Sequence, residues 1–236
     1  MREFGKTIRG LDTKLIVYEV DLQKDFMENN GRLYVPGAEE IKPIVGTIVT
    51  KVKSAGLTRV RSMDWHYTSD AELAENGGPF GKHCMNYTQA EKNADGTFGA
   101  EIIPEVQADT RIYIEDKLLD GKKRIYDPLM LQDFATRVGD FAIQKQSYDV
   151  FTNPATEKFL EALETKTAIV YGVATDYCVK AAVLGMQQRG IQCVVLEDAI
   201  AGITPNGSTA AITEMKAAGA LFKTSNDLDA IIKQYK

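Results

Sequence analysis

The segment Thr167-Ala168-Ile169-Val170-Tyr171 is a short apolar run with the length and composition of a buried strand. A helix-length stretch follows at about 177–189, and a second apolar run, Cys193-Val194-Val195-Leu196, comes directly after it. A strand, a helix and a strand in this order are typical of a parallel sheet whose faces are covered by helices. This part of the chain therefore indicates an α/β fold.

The same alternation extends over most of the chain. Four further apolar runs are expected to be strands: Leu15-Ile16-Val17-Tyr18, Arg59-Val60-Arg61-Ser62-Met63, Arg111-Ile112-Tyr113-Ile114 and Phe141-Ala142-Ile143. Further helix-length stretches lie at about 40–55, 128–137, 155–164, 207–218 and 226–235. We therefore predict three layers, α/β/α, around a mostly parallel central sheet. No internal repeat or linker divides the chain, which predicts a single domain over residues 1–236.

Residues 64–110 interrupt this alternation with a long excursion rich in Asn, Gly, Asp and Glu. A loop of that length inside a compact domain is usually functional. It contains both histidines of the chain, His66 and His83, and Asp64 lies two residues before the first of them. Imidazole and carboxylate are usual ligands of Zn, Fe and Mn, so the excursion predicts a site for one metal ion. A structural hydrogen bond is the alternative interpretation of the two histidines.

The overall composition narrows the class of protein. The 236 residues are 44% hydrophobic and 26% charged, as in an ordinary globular protein in water. A formal net charge of −5 argues against nucleic acid or an anionic membrane as partner. No apolar run approaches the ~20 residues of a membrane span, and the start lacks the apolar core of a signal peptide. We therefore expect a cytoplasmic protein whose three cysteines are reduced.

Polar residues that follow the predicted strands are the first candidates for chemistry, because ligands of parallel sheets bind beyond the carboxyl ends of the strands. They are Asp21, Asp64 with His66, Lys145, and Cys178. Cys178 lies near the start of a helix, where backbone N–H groups and the Lys145 ammonium would lower the thiol pKa. The same N–H groups could stabilise an oxyanion. With both histidines assigned to the metal, Asp21 is the candidate acid/base.

Each of these residues also has a plain structural interpretation. A cysteine at a helix start is commonly a small buried residue, and we interpret Cys84 and Cys193 in that way. An aspartate after a strand usually forms a turn or a cap, and a lysine there is usually solvated. Their convergence on one rim of the sheet favours a site over these separate explanations.

Several segments share the order and spacing of a known set of motifs. They are Val20-Asp21-Leu22-Gln23-Lys24-Asp25-Phe26, Asp64-Trp65-His66, Phe80-Gly81-Lys82-His83-Cys84, Gly96-Thr97-Phe98-Gly99-Ala100-Glu101-Ile102-Ile103-Pro104, Lys145, and Gly172-Val173-Ala174-Thr175-Asp176-Tyr177-Cys178-Val179. Together they resemble the isochorismatase-like cysteine hydrolases. The Asp-x-His pair with the second histidine narrows the resemblance to the nicotinamidases within that superfamily. The resemblance covers about residues 14 to 202.

The resemblance implies an isochorismatase-like hydrolase fold and an enzyme that deamidates nicotinamide to nicotinate and ammonia, a step of NAD salvage. It implies a triad of Asp21, Lys145 and Cys178, in which the thiolate forms a thioester and the carboxylate carries the proton. The oxyanion would lie against the N–H groups of Ala174 and Cys178. A cis peptide bond would fall between Val173 and Ala174.

The resemblance also implies one divalent metal ion, Zn, Fe or Mn, whose role is to bind the pyridine nitrogen of the substrate. Asp64, His66 and His83 carry over as its ligands. Glu72 is the first candidate for a fourth protein ligand and Glu75 the second, and water is the alternative to both.

Phe26 and Phe80 would enclose the substrate ring, and the alternative is that either is a core residue. The chain departs from the family at Glu19 within a strand, in the loop 148–151, and by an insertion within 86–95. Two alternatives remain: a metal-free cysteine amidohydrolase for another small amide, and a fold-mate that only binds small ligands. Because relatives are often dimers or tetramers, a homo-oligomer is expected.

Overall fold

A seven-stranded sheet forms the centre of the computed structural model, which describes residues 12–93, 95–107, 111–117, 122–136 and 139–236. The order across the sheet is β3-β4-β2-β1-β5-β6-β7, and every pair of neighbouring strands is parallel. The strands are β1 Asp12–Val20, β2 Leu57–Asp64, β3 Ile112–Ile114, β4 Asp140–Lys145, β5 Thr167–Val173, β6 Gln192–Ala201 and β7 Leu221–Lys223.

Helices cover both faces of this sheet. Those in the described residues are α1 Lys24–Met27, α2 Ala38–Ser54, α3 Pro128–Ala135, α4 Ala155–Ala162, α5 Lys180–Gln188, α6 Pro205–Ala217 and α7 Leu228–Tyr235. The apolar sides of α2 and α7 pack on one face, and those of α3, α4, α5 and α6 pack on the other. The predicted three-layer α/β/α fold is therefore confirmed.

The apolar runs of β1 and β5 are continuous because both faces of the strands are buried. In β1, Leu15 and Val17 point toward α2, whereas Ile16 and Tyr18 point to the opposite face. One expectation about the elements is wrong and another lies partly outside the described residues. The helix expected from about 177 begins at Lys180, because residues Thr175–Val179 form a π-helical turn first. The end of the helix expected to reach 137 lies outside the described residues.

The order of the strands decides where a site can form. The chain places β2, β3 and β4 on one side of β1 and β5, β6 and β7 on the other. Crevices at such reversals, beyond the carboxyl ends of the strands, are where α/β sheets bind ligands. The register puts Asp64 directly beside Lys145, and Val20 beside Gly172. The ends of β1, β2, β4 and β5 therefore meet at one rim.

Glu19 departs from the family pattern because it belongs to a buried ion cluster on the α2 face of the sheet. Its carboxylate accepts from Arg59 Nε at 2.8 Å and from the Tyr171 hydroxyl at 2.9 Å, and it pairs with Arg61 Nη2 at 2.7 Å. Asp140 on β4 pairs with Arg59 Nη1 at 2.8 Å. Since both strand arginines are buried, a carboxylate on β1 is required to neutralise them.

The described part of the excursion, 64–93 and 95–107, is held by short turns and isolated bridges. Residue pairs His66–Met85 and Leu73–Phe80 form such bridges, and Pro104–Val106 is a single 3₁₀ turn. Of the helices in the described ranges, none has both the length and the apolar character that a bilayer crossing demands.

Candidate active site

Four strand ends bring charged and nucleophilic side chains into contact at the carboxyl edge of the sheet. Lys145 Nζ lies 2.9 Å from Asp21 Oδ2 and 3.6 Å from Cys178 Sγ. It also contacts Asp64 Oδ1. All four side chains are buried. The three residues predicted to form a triad are thus brought together, and the ammonium at their centre is shared with a fourth residue, a carboxylate at the end of β2.

The turn that carries Cys178 is shaped by its backbone. The peptide bond between Val173 and Ala174 is cis, at the position that the resemblance implies. The N–H groups of Tyr177 and Val179 both donate to the Ala174 carbonyl, at 3.0 and 3.1 Å. These contacts hold the π-helical turn against the end of β5, which directs Cys178 Sγ toward Lys145.

Gly172, just before this turn, has a φ of +126°. A Cβ atom there would lie 2.1 Å from the carbonyl oxygen of Val20. Only glycine combines this backbone conformation with so close an approach of β5 to β1. The close approach brings the turn that bears Cys178 to the end of the strand that precedes Asp21.

The expectation that the surroundings lower the thiol pKa of Cys178 is wrong for the described residues. Burial raises the pKa of the thiol well above its ordinary value. The Lys145 ammonium opposes this effect, but the charges of Asp21 and Asp64 add to it. The resting cysteine is therefore a neutral thiol, and an attacking thiolate requires a base within reach.

Asp21 is the base that the geometry offers. Burial raises the pKa of its carboxyl above the ordinary value, the Lys145 charge works against that, and the Asp64 charge supports it. No described group donates a well-aligned hydrogen bond to either Asp21 oxygen. Lys145 itself stays an ammonium: burial disfavours its charge, yet Asp21 and Asp64 hold its pKa well above the usual range. Asp21 can therefore accept a proton beside a permanent positive charge.

A second cluster adjoins the first and has the composition of a metal site. Donor atoms of Asp64, His66, Glu72 and His83 all lie within 4.8 Å of one another. Asp64 Oδ2 is 3.3 Å from His83 Nε2 and 3.6 Å from His66 Nε2, which is 3.5 Å from Glu72 Oε2. Four ligands at about 2.1 Å from a tetrahedral Zn²⁺ would lie roughly 3.4 Å apart. The donor spacing fits a divalent ion.

The hydrogen bonding and the charges of this cluster also fit a cation. Both ring nitrogens of His66 are buried without a well-aligned hydrogen bond from any described group. Burial lowers the pKa of His66, but the nearby carboxylates of Asp64 and Asp70 outweigh it and raise the pKa to about 9. Burial and the Asp64 charge raise the pKa of Glu72. The surroundings therefore favour positive charge at this point, which a divalent ion would provide.

One residue of this region was missed by the sequence analysis. Asp70 Oδ2 lies 3.4 Å from His66 Nδ1 and accepts the Tyr67 N–H at 2.8 Å, while Oδ1 pairs with Lys117. A carboxylate on the far side of a ligating histidine commonly orients the ring. Glu75, the second candidate for a fourth ligand, pairs instead with Lys82 at 3.1 Å and lies outside the cluster.

A pocket lined by Cys178 and by Asp64, Glu72 and His83 of the metal cluster opens beside the triad. Its walls are largely aromatic and aliphatic, and they include both phenylalanines predicted to hold a ring. The lining residues are Phe26, Leu33, Val35, Asp64, Glu72, Phe80, His83, Tyr148, Val173, Ala174, Tyr177, Cys178 and Ile203. This largely apolar and aromatic lining suits a small flat ligand with its reactive group turned toward Cys178.

The other two cysteines have structural positions. Cys84 and Cys193 are buried, and none of the three cysteines is in a disulfide. The Cys84 N–H donates to Asp25 Oδ2 at 2.6 Å, which ties the segment after His83 to helix α1. The burial of Cys84 and Cys193 fits their interpretation as core residues.

Comparison with known proteins agrees with this architecture. The isochorismatase domain family matches residues 120–227. The pyrazinamidase of Pyrococcus horikoshii, solved in complex with zinc, superposes with a TM-score of 0.67 at 27% identity, over 89% of this chain and 99% of that chain. The chain resembles the isochorismatase-like hydrolases in sequence and in fold. The resemblance to this superfamily, and within it to the nicotinamidases, is confirmed.

Two curated relatives are similar to this chain over most of its length. The nicotinamidase of Escherichia coli (strain K12) is 27% identical over 229 residues, covering 88% of this chain and 93% of that protein. A probable inactive nicotinamidase of Arabidopsis thaliana is 25% identical over 222 residues, covering 93% and 95%. Overall similarity therefore does not separate an active member from an inactive one. The side chains of the site must do so.

Proposed function

We propose that this protein is a nicotinamidase that hydrolyses nicotinamide to nicotinate and ammonia in NAD salvage. One observation carries the proposal: Lys145 Nζ bridges Asp21 and Cys178, and the same ammonium contacts Asp64 of the metal cluster, next to an aromatic pocket that Cys178 and Asp64 both line. A thiol, a base and a ring anchor around one cavity are the parts that this reaction needs.

The first half of the reaction forms a thioester. Asp21 takes the proton of the Cys178 thiol, and the Lys145 ammonium stabilises the thiolate while that charge exists. The sulfur attacks the amide carbon, and the carbonyl oxygen becomes an oxyanion that the N–H groups of Ala174 and Cys178 would bind. The protonated Asp21 then gives its proton to the amide nitrogen, the C–N bond breaks, and ammonia leaves.

The second half returns the enzyme to its starting state. Asp21, again a carboxylate, removes a proton from a water molecule that attacks the thioester carbon. The C–S bond breaks and the proton held by Asp21 returns to sulfur, so that nicotinic acid and the neutral thiol are formed, and the acid then releases its own proton to solvent as nicotinate. Lys145 remains charged throughout, which keeps the buried pair of acid and thiol electrostatically balanced.

The cluster of Asp64, His66, Glu72 and His83 would hold the metal ion. When bound, a divalent ion supplies a Lewis-acidic contact for the pyridine nitrogen. Phe26 and Phe80 flank the imidazole of His83, with ring centroids 5.5 and 6.0 Å from it, so they would pack against a ring anchored there. The amide group would then point toward Cys178.

Replacement of His66 by alanine should raise KM for nicotinamide by about tenfold or more, with a smaller effect on kcat, because an anchor shared by ground and transition states is lost. Steady-state kinetics and the metal content of the purified variant check this. Glu75→Ala, which removes an exposed glutamate of the same excursion, is the matched control. Unchanged kinetics with full metal content in His66→Ala would contradict the ligand assignment.

The pKa of Asp21 sets the pH dependence of the reaction. Burial raises this pKa by more than the Lys145 charge lowers it. Because the ionised form is needed to accept the thiol proton, protonation abolishes the reaction. We therefore expect kcat/KM to fall, as the pH is lowered, at a pH above the ordinary aspartate pKa of about 3.9. A pH–rate profile with metal content measured at each pH checks this. An acid limb at or below about pH 4 would argue against Asp21 as the base.

The proposed function is tested by an ammonia-release screen over nicotinamide, pyrazinamide and several non-aromatic amides, with and without a chelator. We expect release from nicotinamide that a chelator abolishes and that Zn²⁺, Fe²⁺ or Mn²⁺ restores. Release from a non-aromatic amide that a chelator leaves intact would instead identify a metal-free amidohydrolase. No release from any amide would leave only a ligand-binding role and refute the proposal.

A further inference from the structure

Glu72 contacts two walls of the pocket as well as the metal cluster. Its Oε2 lies 3.5 Å from His66 Nε2, on the side of the cluster. Its Oε1 accepts the backbone N–H of Tyr148 at 3.0 Å. Its backbone carbonyl accepts the N–H of Phe80 at 3.3 Å. Glu72 thus joins the metal cluster and Phe80, both in its own excursion, to Tyr148, which lies 76 residues away in sequence.

The two groups held by Glu72 are aromatic walls of the pocket. Phe80 and Tyr148 both line it, and each packs edge-on against Tyr177, with centroid distances of 5.6 and 6.3 Å. Phe80 is further fixed to the segment of Glu72, because its carbonyl accepts the Ala74 N–H at 2.6 Å. Since the Phe80 backbone is bonded to this segment on both sides, Phe80 cannot shift independently of Glu72.

The position of Glu72 depends on the charge at the cluster. Its carboxylate and that of Asp64 have oxygen atoms within 4.8 Å of each other. Two buried like charges at this separation repel strongly, and a cation between them replaces the repulsion with attraction. With His66 alone between the two carboxylates, the cation adds attraction that keeps the Glu72 carboxylate where it accepts the Tyr148 N–H. Removal of the cation therefore weakens the hold on Tyr148 directly, and the hold on Phe80 only through the backbone of residue 72.

We propose that Glu72 is a positioning residue that transmits occupancy of the metal site to Phe80 and Tyr148. The bound ion would then shape the pocket for a flat aromatic amide, in addition to holding the ring nitrogen. This inference rests on the proposed function, because it assumes that the cluster binds a metal ion and that the pocket binds an aromatic amide.

Benzamide separates the two roles of the ion. It has the ring and the amide of nicotinamide but carries a carbon where nicotinamide has its ring nitrogen, so it has no ring atom to offer a metal. If the ion acted only as an anchor, benzamide would bind equally well with and without it. If the ion also holds the walls through Glu72, benzamide must bind more weakly when the ion is removed.

The experiment measures benzamide and nicotinamide binding by calorimetry in Cys178→Ala protein, which prevents turnover. Metal-loaded and chelator-stripped samples are compared. We expect removal of the metal to weaken benzamide binding about tenfold, which corresponds to roughly a tenth of the molecules keeping the binding-competent pocket. Nicotinamide binding should weaken more, because nicotinamide also loses its contact with the ion. Equal benzamide affinity in the loaded and stripped samples would overturn the inference.

Second-site variants assign the effect to Glu72. Glu72→Ala in the same background should bind benzamide as weakly as stripped protein, whether or not its metal content is full. Glu72→Gln, which keeps an oxygen acceptor for the Tyr148 N–H, should restore benzamide binding, and Glu75→Ala should bind as the parent does. Full benzamide affinity in Glu72→Ala would also overturn the inference. Wild-type protein that takes up no metal, or releases no ammonia from nicotinamide, would instead refute the proposed function.

Discussion

Replacing Cys178 by alanine should abolish ammonia release from nicotinamide, lowering kcat by about 10⁴-fold or more, because no other group can form the thioester. Asp21 and Lys145 would remain but would have no sulfur to deprotonate or to stabilise. The measurement is a steady-state ammonia assay with enough protein to detect a residual rate of that size. Turnover close to that of the wild type would contradict the assignment of the nucleophile.

Two controls separate lost chemistry from lost structure. Cys193→Ala removes another buried cysteine, on β6, which packs near the Val183 and Ile191 carbonyls. It should keep kcat, since Cys193 does not line the pocket. In Cys178→Ala itself, metal content and nicotinamide binding should be retained, because neither the metal cluster nor the aromatic walls are changed.

Replacing Glu19 by glutamine should lower the free energy of unfolding by about 3–5 kcal/mol, the usual cost of breaking a buried ion pair by removing one partner. Glutamine has nearly the same shape, but it leaves the guanidinium groups of Arg59 and Arg61 with Asp140 as the remaining carboxylate close to both. Urea denaturation followed by circular dichroism measures the difference. A loss below about 0.5 kcal/mol would contradict this account of the cluster.

A surface ion pair provides the matched control for Glu19. Glu157 pairs with Arg189 at 3.0 Å, but its side chain is 50% exposed. Glu157→Gln should therefore lower the free energy of unfolding by about 0–1 kcal/mol.

The contribution of Glu19 to stability depends on pH. Burial opposes ionisation of Glu19, yet Arg61 and Arg59 keep its pKa below the ordinary value. The stability it contributes is present at neutral pH and is lost as the pH falls through that lowered pKa.

The strands were predictable where both of their faces are buried. The runs Leu15–Tyr18 and Thr167–Tyr171 are the centres of β1 and β5, and they are apolar because helices cover both faces. Strand β7, Leu221–Lys223, was missed because a partly exposed edge strand of three residues leaves no apolar run. The order of the strands could not be predicted, because local hydrophobic pattern carries no information about which strands pair.

The site was predictable to the extent that it depends on strand ends. Asp21, Lys145 and Cys178 follow buried strands, so their meeting at one rim could be expected. The contact of Lys145 with Asp64 could not, because it arises from the register of β2 with β4. The direction of the Cys178 pKa was predicted wrongly because the helix start is a local feature, whereas burial and the two carboxylates come from tertiary packing.

The excursion was the least predictable part of the site. Its residues follow no helical or strand period, so nothing in the sequence separates Glu72, which joins the metal cluster, from Glu75, which pairs with Lys82 at the surface. Asp70 reaches His66 through a turn closed by the Tyr67 N–H, a contact without a sequence signature. Such loop positions are decided by hydrogen bonds that only the folded structure supplies.

In the proposed reaction, Cys178 carries the acyl group of nicotinamide during turnover. Mass spectrometry of peptides from protein quenched in acid during nicotinamide hydrolysis tests it most directly. We expect a nicotinoyl group on Cys178, absent when nicotinamide is omitted. A nicotinoyl group on another side chain, or hydrolysis at full rate by protein whose Cys178 is blocked by alkylation, would contradict it.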